Sequence, residues 1–302
     1  MKKSDSKAQH PVFLGIGAAR SGTTWIDAQL RKSPQIWMPR RKELHYFTRS
    51  LEYPSSSHLA DNSLIKRLIS LSGHNIRFKR ELIKAFGRDI LYFDVAQLVW
   101  DSRYFFGNYS DEWYQSLFES KSDYVTGEIT PAYSLLNDND LARLSRFLPK
   151  LKLIFIMRNP IDRAWSTIGY HEKRENKLLT KLPPNEIIEY LSREAITVRS
   201  NYVNIIKRWE KYYPKEQILT AFYDEISCSP SLLLDRICDF LGIDHIHLTD
   251  KDKKRRVNVS VKSEMPTAVR EYLTEYYRDQ IQSLSEIYGS YAKDWLERLD
   301  KT

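Results

Sequence analysis

The sequence predicts an α/β fold, in which a single domain contains a central parallel sheet flanked by helices. Two apolar runs, "VFLGIG" near the start and "LKLIFIMR" at 151–158, are each followed at once by a helical pattern. Strands that alternate with helices form a parallel sheet covered on both faces, with sites at the carboxyl ends of the strands. A chain of 302 residues suits one such domain, which we place at 11–302 behind a polar tail at 1–10.

The remaining elements follow in order along the chain. The helix "TTWIDAQLRK" is predicted after the first strand, and a short second strand, "QIWM", leads into the basic loop "PRRKELHYF". From about 50 to 120 the periodicity is weak, which predicts an irregular region with one helix at "DEWYQSLFES". Further strands are predicted at "DYVTGEITPAY" and "QILTAFYDE". Helices are predicted at 161–175, at 230–241 and twice more towards the C-terminus.

Charge and composition limit the kind of partner and the compartment. The formal charge of +8 and the basic runs "PRRKE" and "DKDKKRRVNVSVK" favour an anionic partner, although such runs also occur on solvated surfaces. Without zinc-finger spacing, a helix-turn-helix or a paired aromatic RNA-binding motif, nucleic acid is not the expected partner. No apolar run is long enough to predict a transmembrane segment, and two cysteines fit a reducing compartment, so we expect a cytoplasmic protein.

The segment after the first strand has the spacing of a phosphate-binding loop without its lysine. Gly17 and Gly22 fit G-x-x-x-x-G-x-[ST], but Thr23 stands where the lysine is expected and Thr24 follows. Backbone amides and the helix N-terminus would still cradle an anion, with Arg20 inside the loop. A phosphosulfate needs less compensating charge than a magnesium nucleoside triphosphate. The alternative is a plain strand-to-helix turn whose glycines only permit tight packing.

These residues resemble a known family. "GIGAARSGTTW" resembles the 5'-phosphosulfate loop of sulfotransferases that use 3'-phosphoadenosine 5'-phosphosulfate (PAPS), and "LIFIMRNPIDRAWSTIGYH" resembles their 3'-phosphate motif. The resemblance continues through "KELHYF", "GEITPAY" and "RRVNVS" and covers about 11–295. It implies a P-loop-like sulfotransferase fold, PAPS as a small-molecule donor, and in-line transfer of a sulfuryl group to an acceptor hydroxyl.

The resemblance also implies roles for individual residues. Glu43 would be the base, His45 would help to place the acceptor, and Arg20 would stabilise the bridging oxygen of the leaving phosphate. The residues that would bind PAPS are Ala19, Arg20, Ser21, Gly22, Thr23, Thr24, Arg158, Ser166, Arg256 and Asn258. Taken alone, Arg158 also fits a salt-bridging residue at a strand end, Glu43 fits a surface ion pair, and Arg256 and Asn258 fit a solvated turn.

The acceptor is less well defined than the donor. "KELHYF" and "TPAY" look most like the carbohydrate-acting branch, which favours a saccharide hydroxyl. Ile129 stands where heparan sulfotransferases carry a lysine, which weakens the case for a heparan-like acceptor. Glu128 fits either the acceptor cleft or a structural carboxylate at a strand end. We expect residues 50–113 to shape the acceptor cleft.

Two other functions remain open from the sequence. A P-loop kinase or NTPase would need an acid for magnesium at a strand end, for which Asp94 and Asp224 are candidates, and the absent loop lysine argues against it. A non-catalytic nucleotide-binding or polyanion-binding module would need only the basic clusters. No histidine pair has metal-binding spacing, so no metal is predicted.

Overall fold

The five strands form one parallel sheet, which confirms the predicted α/β fold. The computed structural model describes residues 11–54, 57–118, 123–250, 252 and 263–299. The strand order is β2–β3–β1–β4–β5, and every neighbouring pair is parallel. The strands are β1 (Phe13–Gly17), β2 (Ile36–Trp37), β3 (Val125–Ile129), β4 (Lys152–Met157) and β5 (Ile218–Phe222).

The two apolar runs occupy the centre of the sheet. β1 pairs with β3 on one side and β4 on the other, so that Phe13 lies opposite both Gly127 and Lys152. All five residues of β1 are buried, as are all but the first of β4. Strands buried on both faces are almost wholly apolar, which is why these two were predictable. Their carboxyl ends meet at the same edge of the sheet.

Helices cover both faces of the sheet and enclose two apolar cores. One core packs the helices at 23–30 and 230–241 against the sheet, and the larger core includes the helices at 160–175, 202–210, 267–288 and 290–299. None of the helices in the described ranges is long and apolar enough to span a membrane. The helices are α1 (Thr23–Leu30), α2 (Leu64–Ile69), α3 (Gly73–Leu91), α4 (Val95–Phe106), α5 (Asp111–Ser116), α6 (Asp138–Phe147), α7 (Pro160–Glu175), α8 (Pro184–Leu191), α9 (Glu194–Thr197), α10 (Tyr202–Glu210), α11 (Tyr223–Cys228), α12 (Pro230–Leu241), α13 (Thr267–Tyr288) and α14 (Ser290–Leu299).

The helix predicted at "DEWYQSLFES" is confirmed by α5, but the prediction of an otherwise irregular region from 50 to 120 is wrong, because α2, α3 and α4 also lie there. In α3 the buried Phe78 and Ala85 share the helix with the exposed Ile83 and Ile90. Because apolar side chains lie on both faces of the helix, the sequence lacks the periodic alternation of apolar and polar residues that predicts an amphipathic helix.

The last strand is shorter than predicted. β5 ends at Phe222, and α11 begins at Tyr223, within the predicted strand. The Glu225 carboxylate accepts a hydrogen bond of 2.8 Å from the Phe222 amide, which caps the new helix. The early end of the strand turns Tyr223 towards the carboxyl edge of the sheet.

Candidate functional site

A cleft of about 270 Å³ opens at the carboxyl edge of the sheet. Ligands in open α/β sheets bind at this edge. The cleft is lined mainly by residues from the loop between β1 and α1, the loop after β2, α7, and the segment at 195–199. The predicted residues Ala19, Arg20, Gly22, Thr23, Thr24, Glu43, His45 and Arg158 are among its lining.

The predicted phosphate loop has the backbone that anion binding requires. Gly22 caps α1 with φ of 82°, a left-handed conformation that glycine adopts without strain. A Cβ at Gly22 would also lie 2.3 Å from Cδ1 of Ile226. The amides of Thr23 and Thr24 lie in the first turn of α1, where the N–H groups have no partner within a helix and the dipole favours an anion. Ser21 is buried beneath the loop and does not line the cleft.

Lys42 supplies the ammonium group that the loop lacks. Its Nζ lies 3.0 Å from Thr24 Oγ1 and 3.4 Å from Glu43 Oε1. The lysine comes from the loop after β2, eighteen residues from Thr24 along the chain. Sequence reasoning treated it as one more basic neighbour of Glu43, because nothing in a linear pattern shows which basic side chain folds back over the loop.

Arg20, Arg158 and Ser166, predicted from two motifs, meet beside the cleft, where the two arginines line it and Ser166 is buried next to Arg20. Arg20 Nε donates to Ser166 Oγ at 3.4 Å, and Arg158 Nη1 donates to the Arg20 carbonyl at 2.9 Å. The Tyr202 hydroxyl donates to the Arg158 carbonyl at 2.8 Å and so fixes the end of β4. Burial, followed by the charge of Arg158, lowers the pKa of Arg20. An anion between the two guanidinium groups would relieve both effects.

Two tyrosines that sequence reasoning missed hold these arginines in place. The guanidinium of Arg20 lies 4.7 Å from the ring centroid of Tyr170, and that of Arg158 lies 4.5 Å from that of Tyr223. Both distances are within the range of cation–π attraction. Tyr170 follows Ser166 by one helical turn on α7, a spacing that could have suggested it.

Glu43 and His45 face each other beside the phosphate loop. Their closest side-chain atoms, Glu43 Oε2 and His45 Nε2, are 3.5 Å apart. Burial alone would raise the pKa of Glu43, but the hydrogen bond from His45 and the charge of Lys42 outweigh it and lower the pKa to about 2. The carboxylate is therefore ionised at neutral pH. Arg20, Glu43 and His45 all have positive φ, of 69°, 64° and 59°, an uncommon backbone conformation that clusters at functional sites.

The outer part of the cleft is basic. Arg77, Arg163, Arg174 and Arg199 line it, and Glu43 is the one acid among the described residues of its lining. Arg163 is fully buried, and its Nε and Nη2 donate to Ser200 Oγ at 2.5 Å and the Ile196 carbonyl at 2.7 Å. Burial and the charge of Arg163 lower the pKa of Arg199 to about 10. Crowded cations of this kind favour an anionic ligand.

Glu128 is a structural carboxylate and does not line the cleft. It is almost fully buried and accepts hydrogen bonds from the Leu44 amide at 3.1 Å and from three hydroxyl groups at 2.7 to 2.8 Å. The hydroxyls belong to Tyr114, Thr130 and Tyr133. Burial raises the pKa of Glu128. Through the Leu44 amide, Glu128 positions the loop that carries Glu43 and His45.

Asp94 and Asp224, the candidate magnesium ligands of the kinase alternative, are not among the residues that line the cleft. Asp94 caps α4 by accepting from the Gln97 amide at 3.0 Å, and Asp224 accepts from Trp295 Nε1 at 3.4 Å. Within the described ranges, no three His, Cys, Asp or Glu side chains cluster as metal ligands would. The predicted contacts Arg256 and Asn258 lie outside the described residues.

A sequence model of the sulfotransferase family matches residues 11–247. The chain belongs to the sulfotransferase family. It is 22% identical over 94% of its length to the membrane-associated sulfotransferase kil1 of Dictyostelium discoideum. It is 24% identical over 95% of its length to the human bifunctional heparan sulfate N-deacetylase/N-sulfotransferase 1. The chain spans 66% of the first relative and 31% of the second.

Solved structures show the same fold. The crystal structure of a sulfotransferase from Alicyclobacillus acidocaldarius superposes on 92% of this chain with a TM-score of 0.61 and 20% identity, and 95% of that chain is covered. This likeness agrees with the P-loop-like sulfotransferase fold that the motifs imply.

Proposed function

We propose that this protein transfers a sulfuryl group from PAPS to a hydroxyl group of a saccharide, with Glu43 as the base. The observation that carries the proposal is the contact of Lys42 with both halves of the cleft. Its Nζ lies 3.0 Å from Thr24 Oγ1 in the phosphate loop and 3.4 Å from Glu43 Oε1. A donor-binding loop and an ionised carboxylate, the two parts that such a transfer needs, are therefore adjacent.

The residues of the cleft fit a nucleotide with several anionic groups. The N-terminus of α1 and Lys42 would hold the 5'-phosphosulfate, and Arg158 and Ser166 would hold the 3'-phosphate. Arg163 Nη1 is buried and has no hydrogen-bond partner within the described part of the chain, which leaves a donor for a ligand. When bound, PAPS supplies a sulfuryl group activated by its bond to a phosphate.

Glu43 would accept the proton of the acceptor hydroxyl. As it does so, a bond forms between the acceptor oxygen and sulfur, and the bond between sulfur and the bridging phosphate oxygen breaks. Arg20 and Lys42 would stabilise the charge that develops on that oxygen. His45 would orient the carboxylate. The products are a sulfate ester and adenosine 3',5'-bisphosphate, with the proton left on Glu43.

The charge of the outer cleft supports an acceptor that carries acidic groups. Arg77, Arg174 and Arg199 line this part, on three different segments. Two relatives bear on the class of acceptor, since one is named as a bifunctional heparan sulfate N-deacetylase/N-sulfotransferase and the other only as a membrane-associated sulfotransferase. A saccharide with carboxylate groups fits both the positive charge of these arginines and the relative that is named for heparan sulfate.

The test is transfer of label from radiolabelled PAPS to uronic-acid oligosaccharides and to the same oligosaccharides after carboxyl reduction. The wild type should label the acidic form, and Glu43→Gln should lose turnover while binding adenosine 3',5'-bisphosphate as the wild type does. Glu216→Gln, an exposed glutamate distant in sequence, is the matched control and should behave as wild type. If Glu43→Gln labels the acidic oligosaccharide as fast as the wild type does, the role of Glu43 as the base is refuted. Labelling of neither saccharide would refute the acceptor.

A further inference from the structure

The helical hairpin formed by α3 and α4 exposes an unusual number of large apolar side chains. The two helices are joined by residues 92–94, and the exposed apolar residues surround this turn. Phe93, in the turn itself, is 88% exposed and has a positive φ of 51°. The exposed apolar positions are Ile83, Ile90, Leu91, Tyr92, Phe93, Val95, Ala96, Val99 and Phe106.

The exposed charged residues of the same hairpin are mainly basic. Between residues 80 and 106, the exposed charged residues are Arg80, Lys84 and Arg103. On α3, the spacing of Arg80, Lys84 and Leu91 places all three residues on the same face of the helix. Of the acids of this stretch, Asp89 and Asp101 are buried and Glu81 pairs with Arg41, whereas Asp94 pairs with Arg40 but is 42% exposed at its side chain. The exposed surface of the hairpin is therefore apolar and basic.

We propose that the tip of this hairpin, residues 90–95, inserts into the interface of an anionic membrane and that Arg80, Lys84 and Arg103 bind its headgroups. Large apolar side chains flanked by basic residues are the pattern of interfacial membrane binding. A patch of this size on a protein surface also marks an interaction site in general. On the described hairpin the exposed charged residues are mainly basic, and Asp94 is paired with Arg40, which favours an anionic lipid surface over a protein partner of mixed charge.

The hairpin is coupled to the cleft. Arg40 Nη1 lies 3.4 Å from Asp94 Oδ2 in the turn, and Arg41 Nη1 lies 3.1 Å from Glu81 Oε2 in the middle of α3, so two ion pairs join the hairpin to the loop that carries Glu43. Arg77, near the start of α3, lines the cleft. The rise of an α-helix places Leu91 about 20 Å further along the axis. A docked tip would hold the cleft close to the membrane surface.

Co-sedimentation with vesicles tests the proposal on the full chain. The wild type should bind vesicles of phosphatidylcholine with phosphatidylserine, and binding should weaken at high salt and in vesicles of phosphatidylcholine alone. Phe93→Ser should weaken binding about tenfold, the scale of one buried aromatic side chain. Lys84→Gln should weaken it about fivefold. The matched controls are Leu232→Ser on α12 and Lys207→Gln on α10, both exposed, and they should bind as the wild type does.

Three results would overturn the proposal. These are failure of the wild type to bind anionic vesicles, unchanged binding by Phe93→Ser, and an equal loss with Leu232→Ser. Sedimentation velocity without lipid is the second measurement. A dimer that Phe93→Ser dissociates would show that a second copy covers the tip instead. Unchanged melting and unchanged binding of adenosine 3',5'-bisphosphate would establish that the variants are folded, and these readouts do not depend on the membrane.

Discussion

Replacing Lys42 by methionine tests whether this residue takes the place of the missing loop lysine. Met keeps much of the aliphatic stem and removes the charge. Lys42 Nζ lies 3.0 Å from Thr24 Oγ1 at the N-terminus of α1, and its side chain is 22% exposed. A hydrogen bond from a charged donor in such a site contributes about 1.5–3 kcal/mol. The variant should therefore bind adenosine 3',5'-bisphosphate about tenfold to a hundredfold more weakly.

Isothermal titration calorimetry measures this loss, with Lys211→Met as the matched control. Lys211 forms an exposed ion pair with Asp138 at 3.4 Å outside the cleft, so its loss should leave the affinity unchanged. Because the charge of Lys42 helps to lower the pKa of Glu43, that pKa should also rise in Lys42→Met. An affinity equal to that of the wild type would refute the role assigned to Lys42.

Three further predictions concern the base and the loop. Glu43→Gln should lower turnover by about a hundredfold to ten-thousandfold, measured as label transfer from PAPS. Because the pKa of Glu43 is about 2 against an ordinary 4.5, its ionised form should stabilise the fold fully above pH 4.5 and lose that effect as the pH falls towards 2. Acid titration of wild type and Glu43→Gln should show this difference, and the pH–rate profile should have no acid limb near 4.5. Gly22→Ala should destabilise the protein by about 1–2 kcal/mol because of its positive φ, whereas Gly87→Ala, with open space around it, should not destabilise it in urea unfolding.

The sequence was most informative where one local pattern determines one element. The apolar runs of β1 and β4 predicted buried strands, and the glycines of the loop at 17–22 predicted a strand-to-helix turn. Both depend on residues close together in the chain. They were sufficient to place the predicted phosphate loop at the carboxyl edge of the sheet.

Tertiary contacts explain what the sequence could not show. Lys42 reaches Thr24 only because the loop after β2 folds back over the N-terminus of α1. Glu128 could not be assigned to the core or to the cleft until its four donors were known, since they come from separate segments. The helices between 64 and 106 could not be predicted because part of their apolar surface faces solvent.

The most direct test of the account is calorimetric titration of the wild type and Arg158→Ala with adenosine 3',5'-bisphosphate in magnesium-free buffer, with ATP as the competitor control. The account predicts binding without magnesium that weakens by about 2 kcal/mol or more in the variant, the scale of a lost charged hydrogen-bond pair. It also predicts weaker binding of ATP. No binding of the bisphosphate, or a preference for magnesium-ATP, would contradict PAPS as the donor.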